Sequence, residues 1–193
     1  YARLPDTAPL ILAFDTSAAH CAAALLRGDE VLLSALEPMA KGQAERLLVL
    51  CNELMDQAGL SVSDLDAIGV GIGPGNFTGI RISVSAARGL ALGLGVPAVG
   101  VSNFDALRFG TSGPCACAVD ARREMVYLQG FENPQISFPQ QYPITDLPSF
   151  EGPLIGAGGQ APAHPIAEAI ARLTATRYQN ETARPAPLYV KPP

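Results

Sequence analysis

The chain has 193 residues, of which 48% are hydrophobic and 16% are charged, and its net charge is −5. This composition excludes a disordered chain and is typical of one folded domain, or of two small domains that share an interface. The acidic balance argues against a broad electrostatic surface for nucleic acid, and the low charged fraction indicates that a partner covers part of the surface.

Cysteine and histidine usage sets limits on redox and metal chemistry. The two histidines, His20 and His164, lie far apart, so the sequence predicts no metal site. No stretch is long, apolar and free of charge in the way that a membrane span requires, and the start does not resemble a signal peptide. We therefore expect a cytoplasmic protein with no membrane partner. Its four cysteines lie in apolar stretches without a C-x-x-C pair, as is typical of reduced core thiols: Cys21, Cys51, Cys115 and Cys117.

The first half of the chain predicts an α/β unit. Its first strand, Leu10 to Phe14, is wholly apolar and ends at the polar sequence Asp15-Thr16-Ser17, which is typical of a strand buried on both faces. After it come two further strands, a helix, a strand, a helix and a strand, an order which predicts a mixed sheet. The segments are strands at 21–26, 31–36, 68–73 and 97–101, and helices at 43–58, 79–93 and 103–109.

The glycine-rich run from Gly69 to Gly79 is the most unusual stretch. With the alternation of a strand, Gly69, Gly71 and Gly73 leave one face bare, so that a ligand or another backbone can approach closely. Asn76 or Thr78 can cap the helix after the run. The run lacks the Lys of a P-loop and the spacing of a dinucleotide fingerprint. Two interpretations stay open, a phosphate-binding loop at a helix N-terminus and a tightly packed turn without a ligand.

The helices at 43–58 and 79–93 carry more apolar residues than one face can hold. They are either buried between the sheet and each other, or they turn outer faces toward another subunit, and we favour the second interpretation. The residues predicted for this partner interface are Leu47, Leu48, Cys51, Met55, Ile80, Val84, Ala87 and Ala91.

The second half repeats the pattern in a shorter form. Residues 116–119 followed by Asp120 echo the first strand and Asp15, which would place the two aspartates at equivalent strand ends across a cleft. The sequence divides into a first subdomain at 10–110, which carries the interface helices, and a second, smaller one at 111–193. The second copy is shorter by about the length of one helix and its connections. Its predicted elements are strands at 125–131, 136–142, 154–159 and 188–190, and a helix at 163–173.

A duplicated unit of this kind resembles the actin, Hsp70 and sugar-kinase superfamily, whose fold consists of RNase H-like βββαβα units. The resemblance implies that fold here, with the second unit shortened. Five segments are similar to the TsaB (YeaZ) family, which is also described as glycoprotease-like: 11–17, 73–82 with Arg81, 95–102, 119–122 and 187–190.

The family resemblance implies a subunit without catalytic activity of its own. Such a subunit binds and stabilises a TsaD-like catalytic subunit, which transfers threonylcarbamoyl to adenosine 37 of tRNA. A TsaE-like ATPase belongs to the same complex, tRNA is contacted only through the complex, and the subunit forms a homodimer when it is alone. TsaD-like proteins hold a metal with two histidines, and the corresponding positions here are Gln43 and Leu47, so no metal site, catalytic residue or protease activity is expected.

An enzyme of the same superfamily that binds or hydrolyses ATP is the alternative. In that case Asp15 and Asp120 would hold Mg²⁺ through water around ATP or ADP, whereas the first interpretation requires no cofactor. The residues predicted for a nucleotide or phosphate cleft are Asp15, Thr16, Ser17, Gly73, Gly75, Asn76, Thr78 and Asp120.

Overall fold

The computed structural model describes residues 8–190, which form two β-sheets with helices packed against them. The strands of this part are β1 (Leu10–Asp15), β2 (His20–Arg27), β3 (Glu30–Pro38), β4 (Ala67–Gly71), β5 (Ala98–Val101), β6 (Cys115–Asp120), β7 (Met125–Phe131), β8 (Gln140–Pro143) and β9 (Leu154–Gly156). The α-helices are α1 (Gln43–Ala58), α2 (Phe77–Leu94), α3 (Asn103–Arg108) and α4 (Ile166–Arg177).

The first sheet has the order β3-β2-β1-β4-β5, so that β1 is its central strand. It pairs antiparallel with β2 and parallel with β4. Because successive side chains of a strand point to opposite faces, Leu10, Leu12 and Phe14 face α1 and α2, while Ile11 and Ala13 face α4. All six residues of β1 are buried, which confirms the predicted strand that is covered on both faces.

Helix α4 lies on the first sheet, although the sequence assigned residues 163–173 to the second copy. Ile170 and Thr174 approach Gly69 of β4, where the absence of a side chain leaves room for the helix. Ala169 and Ala171 belong to the same buried cluster as Ile11. The chain therefore returns to the first sheet after it has formed the second, and α4, assigned to subdomain 111–193, belongs by packing to the first unit.

The second sheet has the order β8-β7-β6-β9. Residues 144–153 connect β8 to β9 without a helix, which accounts for the shorter second copy. The strand predicted at 136–142 is wrong in its first half. Pro134 begins a short 3₁₀ helix that ends at the buried Ile136, and the strand begins only at Gln140.

The strand predicted at 188–190 does not form. The backbone N–H of Leu188 donates to the carbonyl of Ile72 at 2.8 Å, and residues 188–190 have no regular secondary structure. Within residues 8–190, no helix combines the length and the apolar character that crossing a membrane demands.

Candidate functional site

The carboxyl end of β1 contains a buried hydrogen-bonded cluster around Asp15. Its Oδ2 accepts from the Ser17 backbone N–H at 3.0 Å and from the Ser17 hydroxyl at 2.8 Å. The His20 Nε2 donates to the same oxygen at 2.7 Å. Because Ser17 and His20 both donate to Asp15, His20 is not placed to accept the proton of Ser17, and the three residues do not form a catalytic triad.

The second carboxylate oxygen of Asp15 also faces the interior. A Cβ at Gly71 on the neighbouring strand would overlap Oδ1, so a glycine is required there. This oxygen is buried and has no hydrogen-bond partner in the described part of the chain. Asp15 is fully buried, and its carboxylate therefore stabilises the strand end instead of opening into a cleft.

The glycine-rich loop packs directly on the segment after β1. A Cβ at Gly79 would overlap the carbonyl oxygen of Thr16, and one at Gly75 would overlap that of Ser17. The Asn76 backbone N–H donates to the Ser17 carbonyl at 2.6 Å, and the Thr16 hydroxyl donates to the Gly79 carbonyl at 2.7 Å. The bare glycine positions are thus filled by the chain itself, which supports the packed turn over the phosphate-binding loop.

Helix α2 begins at Phe77, two residues before the predicted start at Gly79, and uses one of the two predicted caps. The Asn76 side chain accepts from the Gly79 backbone N–H at 2.9 Å, which makes it the N-cap. Thr78, the alternative cap, has an exposed side chain in the first turn. Between them, the cap and the packing of Gly79 on Thr16 fix the start of α2 relative to the end of β1.

Asn103 belongs to this cluster and was missed by the sequence reasoning. Its Nδ2 donates to the Ser17 hydroxyl at 2.7 Å and to the Pro74 carbonyl at 2.8 Å, and its backbone N–H donates to the Gly73 carbonyl at 2.8 Å. The side chain is 5% exposed, and its Oδ1 is buried without a partner in the described residues. The signal that could have found it is a polar residue at the first position of α3, directly after the capping Ser102.

A cavity of about 470 Å³ lies between the two units. Of the predicted cleft residues, Asp15, Thr16 and Gly73 are not on its wall. Asp120 is exposed, and its Oδ1 accepts from the Arg122 backbone N–H at 2.9 Å. The predicted cleft residues that do line the cavity are Ser17, Gly75, Asn76, Thr78 and Asp120.

The β6–β7 turn places Arg122 on the cavity wall in an unusual conformation. Arg122, Arg123 and Glu124 have φ values of 65°, 52° and 60°. A left-handed conformation costs a residue other than glycine about 1–2 kcal/mol. This turn is therefore a strained feature of the second unit.

The predicted arrangement, in which Asp15 and Asp120 together hold Mg²⁺ through water, does not form. Of the two carboxylates, only Asp120 faces the cavity. The buried Asp15 is already bonded to Ser17 and His20. Within residues 8–190, no group of three or more His, Cys, Asp or Glu side chains is arranged to hold a metal ion.

Most residues predicted for the partner interface lie in the chain's own core, which corrects that part of the prediction. Helices α1 and α2 pack on the first sheet through positions three and four residues apart, so these side chains face inward. Six of the eight are at most 4% exposed: Leu47, Cys51, Met55, Ile80, Val84 and Ala87. Ala91 is half-buried, and Leu48 is 49% exposed. The apolar side chains that point outward on these helices also include Val49 at 49% and Leu92 at 83%.

The four cysteines are free and buried, as predicted. Burial raises the pKa of Cys21 to about 11 and that of Cys51 to about 12. Both thiols are thus protonated near neutral pH and have little nucleophilic character.

The order of strands in the two sheets defines the class of protein. It is an α/β protein of two RNase H-like units, of which the second is shorter. The family model described as TsaD, tRNA N6-adenosine threonylcarbamoyltransferase, matches residues 37–136, just over half of the chain. YeaZ from Pseudomonas aeruginosa is 30% identical with a TM-score of 0.72, and the match covers 94% of this chain and 100% of that one. A second Pseudomonas aeruginosa structure, described as similar to peptidase YEAZ, is 28% identical with a TM-score of 0.78, covering 95% and 100%.

Curated sequences agree with these structures. The TsaB protein of Haemophilus influenzae, described as a tRNA threonylcarbamoyladenosine biosynthesis protein, is 34% identical over 124 residues, which cover 61% of this chain and 52% of that protein. The Escherichia coli protein of the same description is 32% identical over 127 residues, covering 63% and 54%. The chain therefore belongs to the TsaB (YeaZ) family. Its match spans about half the length of these curated relatives.

Proposed function

We propose that the chain is a non-catalytic subunit in the biosynthesis of threonylcarbamoyladenosine on tRNA, and that it binds and stabilises a TsaD-like catalytic subunit. The observation that carries this proposal is the presence of exposed large apolar side chains on α1 and α2, namely Leu48, Val49 and Leu92. Large apolar side chains on neighbouring helices that point away from their own sheet are typical of a protein interface. We call this set the outer helix face.

Small residues on α2 add to the outer helix face. Ser85, Gly89 and Gly93 recur every four residues and so share one side of the helix. A Cβ built at Gly89 or Gly93 would meet no atom within 4 Å, so the helix backbone is open on this side. Another helix can therefore approach α2 closely, and the same surface would hold a second copy when the catalytic subunit is absent.

The proposal of a non-catalytic role is supported by the residues at the start of α1. At the position of the first metal-binding histidine of TsaD-like proteins, Gln43 uses its amide to donate to the Met39 carbonyl at 3.1 Å. At the second such position, Leu47 is 1% exposed and packs in the core. A TsaE-like ATPase and tRNA would join through the complex in the cytoplasm, and in this proposal none of residues 8–190 supplies a nucleophile, base or metal ligand.

The experiment is co-expression with a TsaD-like subunit and affinity purification of the pair. Leu48→Asp and Val49→Asp each place a charge on the outer helix face without entering the core, so we expect recovery of the partner to fall at least about tenfold. Phe138→Asp is the matched control, because Phe138 is 78% exposed in the second unit. Circular dichroism checks that each variant is folded. Wild-type recovery of the partner by Leu48→Asp and Val49→Asp, or equal loss with Phe138→Asp, would refute the proposed interface.

Nucleotide binding in the cavity is the competing proposal, favoured by Arg122 and Asp120 on one wall. Titration calorimetry of the chain with ATP and Mg²⁺ separates the two. We expect weak or undetectable binding because Asp15 is enclosed. Tight binding that Asp120→Ala abolishes, accompanied by hydrolysis, would replace the non-catalytic role by an enzymatic one.

A further inference from the structure

A second groove, of about 540 Å³, lies away from the cleft between the units. Its walls are the C-terminal half of α2, the connection from α2 to β5, and the segment at 181–185. We call it the β5 groove. The exposed Leu92 is on its rim, and Val96 and Pro97 contribute apolar surface. A groove of this size and lining is suited to apolar side chains of a ligand.

The β5 groove runs beside a free sheet edge. Strand β5 is the last strand in the order of the first sheet, so its outer edge has no neighbouring strand in that sheet. Ala98, the first residue of β5, is half-exposed and lies on the groove wall. An edge strand presents backbone N–H and C=O groups that can pair with an extended peptide. The geometry therefore favours an extended chain over a helix as the occupant.

The charges on the groove select the chemistry of that chain. Arg88 and Arg184 are both exposed, and neither has a carboxylate partner in the described part of the structure. The carboxylate on the wall, Glu181, accepts from the Ala183 backbone N–H at 3.0 Å and keeps its negative charge. The two guanidinium groups outnumber it, so the groove wall is locally positive in a chain of net charge −5.

We propose that the β5 groove binds an extended segment of a partner protein in which apolar and acidic residues alternate, paired along the edge of β5. Its apolar side chains contact Leu92 and Val96, and its carboxylates pair with Arg88 and Arg184. The groove shares Leu92 and Gly89 of α2 with the outer helix face, but it does not include Leu48 or Val49 of α1.

The probes are two capped seven-residue peptides, one alternating Glu with Val and the other alternating Lys with Val. Each is titrated into the ¹⁵N-labelled full chain while its amide chemical shifts are followed. We expect the Glu–Val peptide alone to produce saturable shifts at Gly89, Gly95 and Ala98, which lie on the groove. The affinity should fall as salt is added, since charge pairs contribute to binding.

Variants distinguish the groove from general attraction to positive charge. Arg88→Gln combined with Arg184→Gln should weaken binding of the Glu–Val peptide at least about tenfold. Arg122→Gln combined with Arg123→Gln is the matched control and should bind as the wild type does. Leu48→Asp should also leave peptide binding unchanged, so that failure at this groove is separate from failure of the proposed function.

Three outcomes would overturn the proposal. They are the absence of saturable shifts at millimolar peptide, equal binding of the Lys–Val peptide, and shifts centred outside the groove. A fourth outcome would point to a second copy of the chain. If the chemical shifts of the groove amides change with protein concentration, and the Glu–Val peptide does not reverse that change, the groove binds a second copy instead of a partner segment.

Discussion

Asp15 and Asp120 end equivalent strands of the two units, yet their environments are opposite. Asp15 is fully buried and holds Ser17 and His20, whereas Asp120 is exposed and accepts from a backbone N–H of its own turn. The backbone around them is nevertheless repeated. In the first sheet Ala13 lies opposite Gly69, two residues before Asp15.

The same pairing recurs in the second sheet. Ala118 lies opposite Gly156, two residues before Asp120, so Gly158 has the sequence offset of Gly71, although β9 ends at Gly156 and Gly158 lies in the turn that follows. At Gly71 the empty side is filled by the Asp15 carboxylate, while at Gly158 the nearest side chain is Ile144. The comparison teaches that a duplicated strand register does not duplicate a site. In the first unit the loop that follows β4 packs on Thr16 and Ser17 beside Asp15, and this packing decides whether the aspartate is enclosed.

Gly79→Ala should open the enclosed end of β1 and reduce the difference between the two units. The new Cβ would overlap the Thr16 carbonyl oxygen, which is backbone and cannot rotate away, so we expect a loss of about 3 kcal/mol or more in the free energy of unfolding. Gly89→Ala in the same helix is the matched control and should stabilise by up to about 1 kcal/mol, because its Cβ meets open space. Urea denaturation measures both. Similar values for the two variants would contradict the packing of the glycine loop.

Replacing each aspartate tests the difference directly. Asp15→Ala leaves the Ser17 N–H and the His20 ring without their buried acceptor, so we expect a loss of about 2–4 kcal/mol in the free energy of unfolding. Asp120→Ala should change it by less than about 0.5 kcal/mol, because the side chain is exposed. Equal effects in chemical denaturation would mean that the two strand ends are energetically alike.

The β6–β7 turn next to Asp120 contains residues at positive φ, and its strain can be relieved by a glycine. Arg123→Gly should raise the free energy of unfolding by about 0.5–1 kcal/mol, because glycine adopts a φ of 52° without strain, and the gain is partly offset by a more flexible unfolded chain. Arg88→Gly, in the middle of α2, should have the opposite sign and lower it by about 1 kcal/mol. Thermal and urea unfolding of both variants would show whether the signs differ as expected.

The smallest effect concerns acid stability outside both strand ends. Hydrogen bonds from Arg46 lower the pKa of Glu37 and of Glu53 below the usual 4.5. A lowered folded-state pKa stabilises the fold above about pH 4.5, and that contribution is lost as the pH falls through the folded pKa. Arg46→Met should therefore make the free energy of unfolding fall less steeply as the pH drops below about 4.5, and it should leave the pH dependence near neutral pH almost unchanged. An unchanged slope in the acid range would show that this surface pair contributes nothing measurable.

Much of the fold can be predicted from local pattern. The wholly apolar β1 and the glycine-rich strand β4 form as predicted, and of the two predicted caps, Asn76 and Thr78, the structure uses Asn76. The direction in which α1 turns its apolar residues was not predictable, because they extend around most of the helix. Leu47 and Leu48 are adjacent and both apolar, yet one is buried and the other half-exposed.

The candidate site was predicted only in part, since it depends on contacts distant in sequence. Asn103 joins Ser17 across 86 positions, and its place at the start of α3 marks it as a polar residue of interest without indicating that partner. The identity of the glycines showed that something approaches them closely. It did not show that the approaching atoms belong to Thr16 and Ser17 of the same chain.

The return of α4 to the first sheet has a consequence for synthesis on the ribosome. Until residues 166–177 leave the exit tunnel, one side of the nascent first sheet, with Ile11, Val99 and Val101, lacks α4, and only the segment with Ala106 and Phe109 is available to cover it. Apolar strand surface therefore stays exposed to solvent while the second unit is translated, and such surface favours aggregation of a nascent chain.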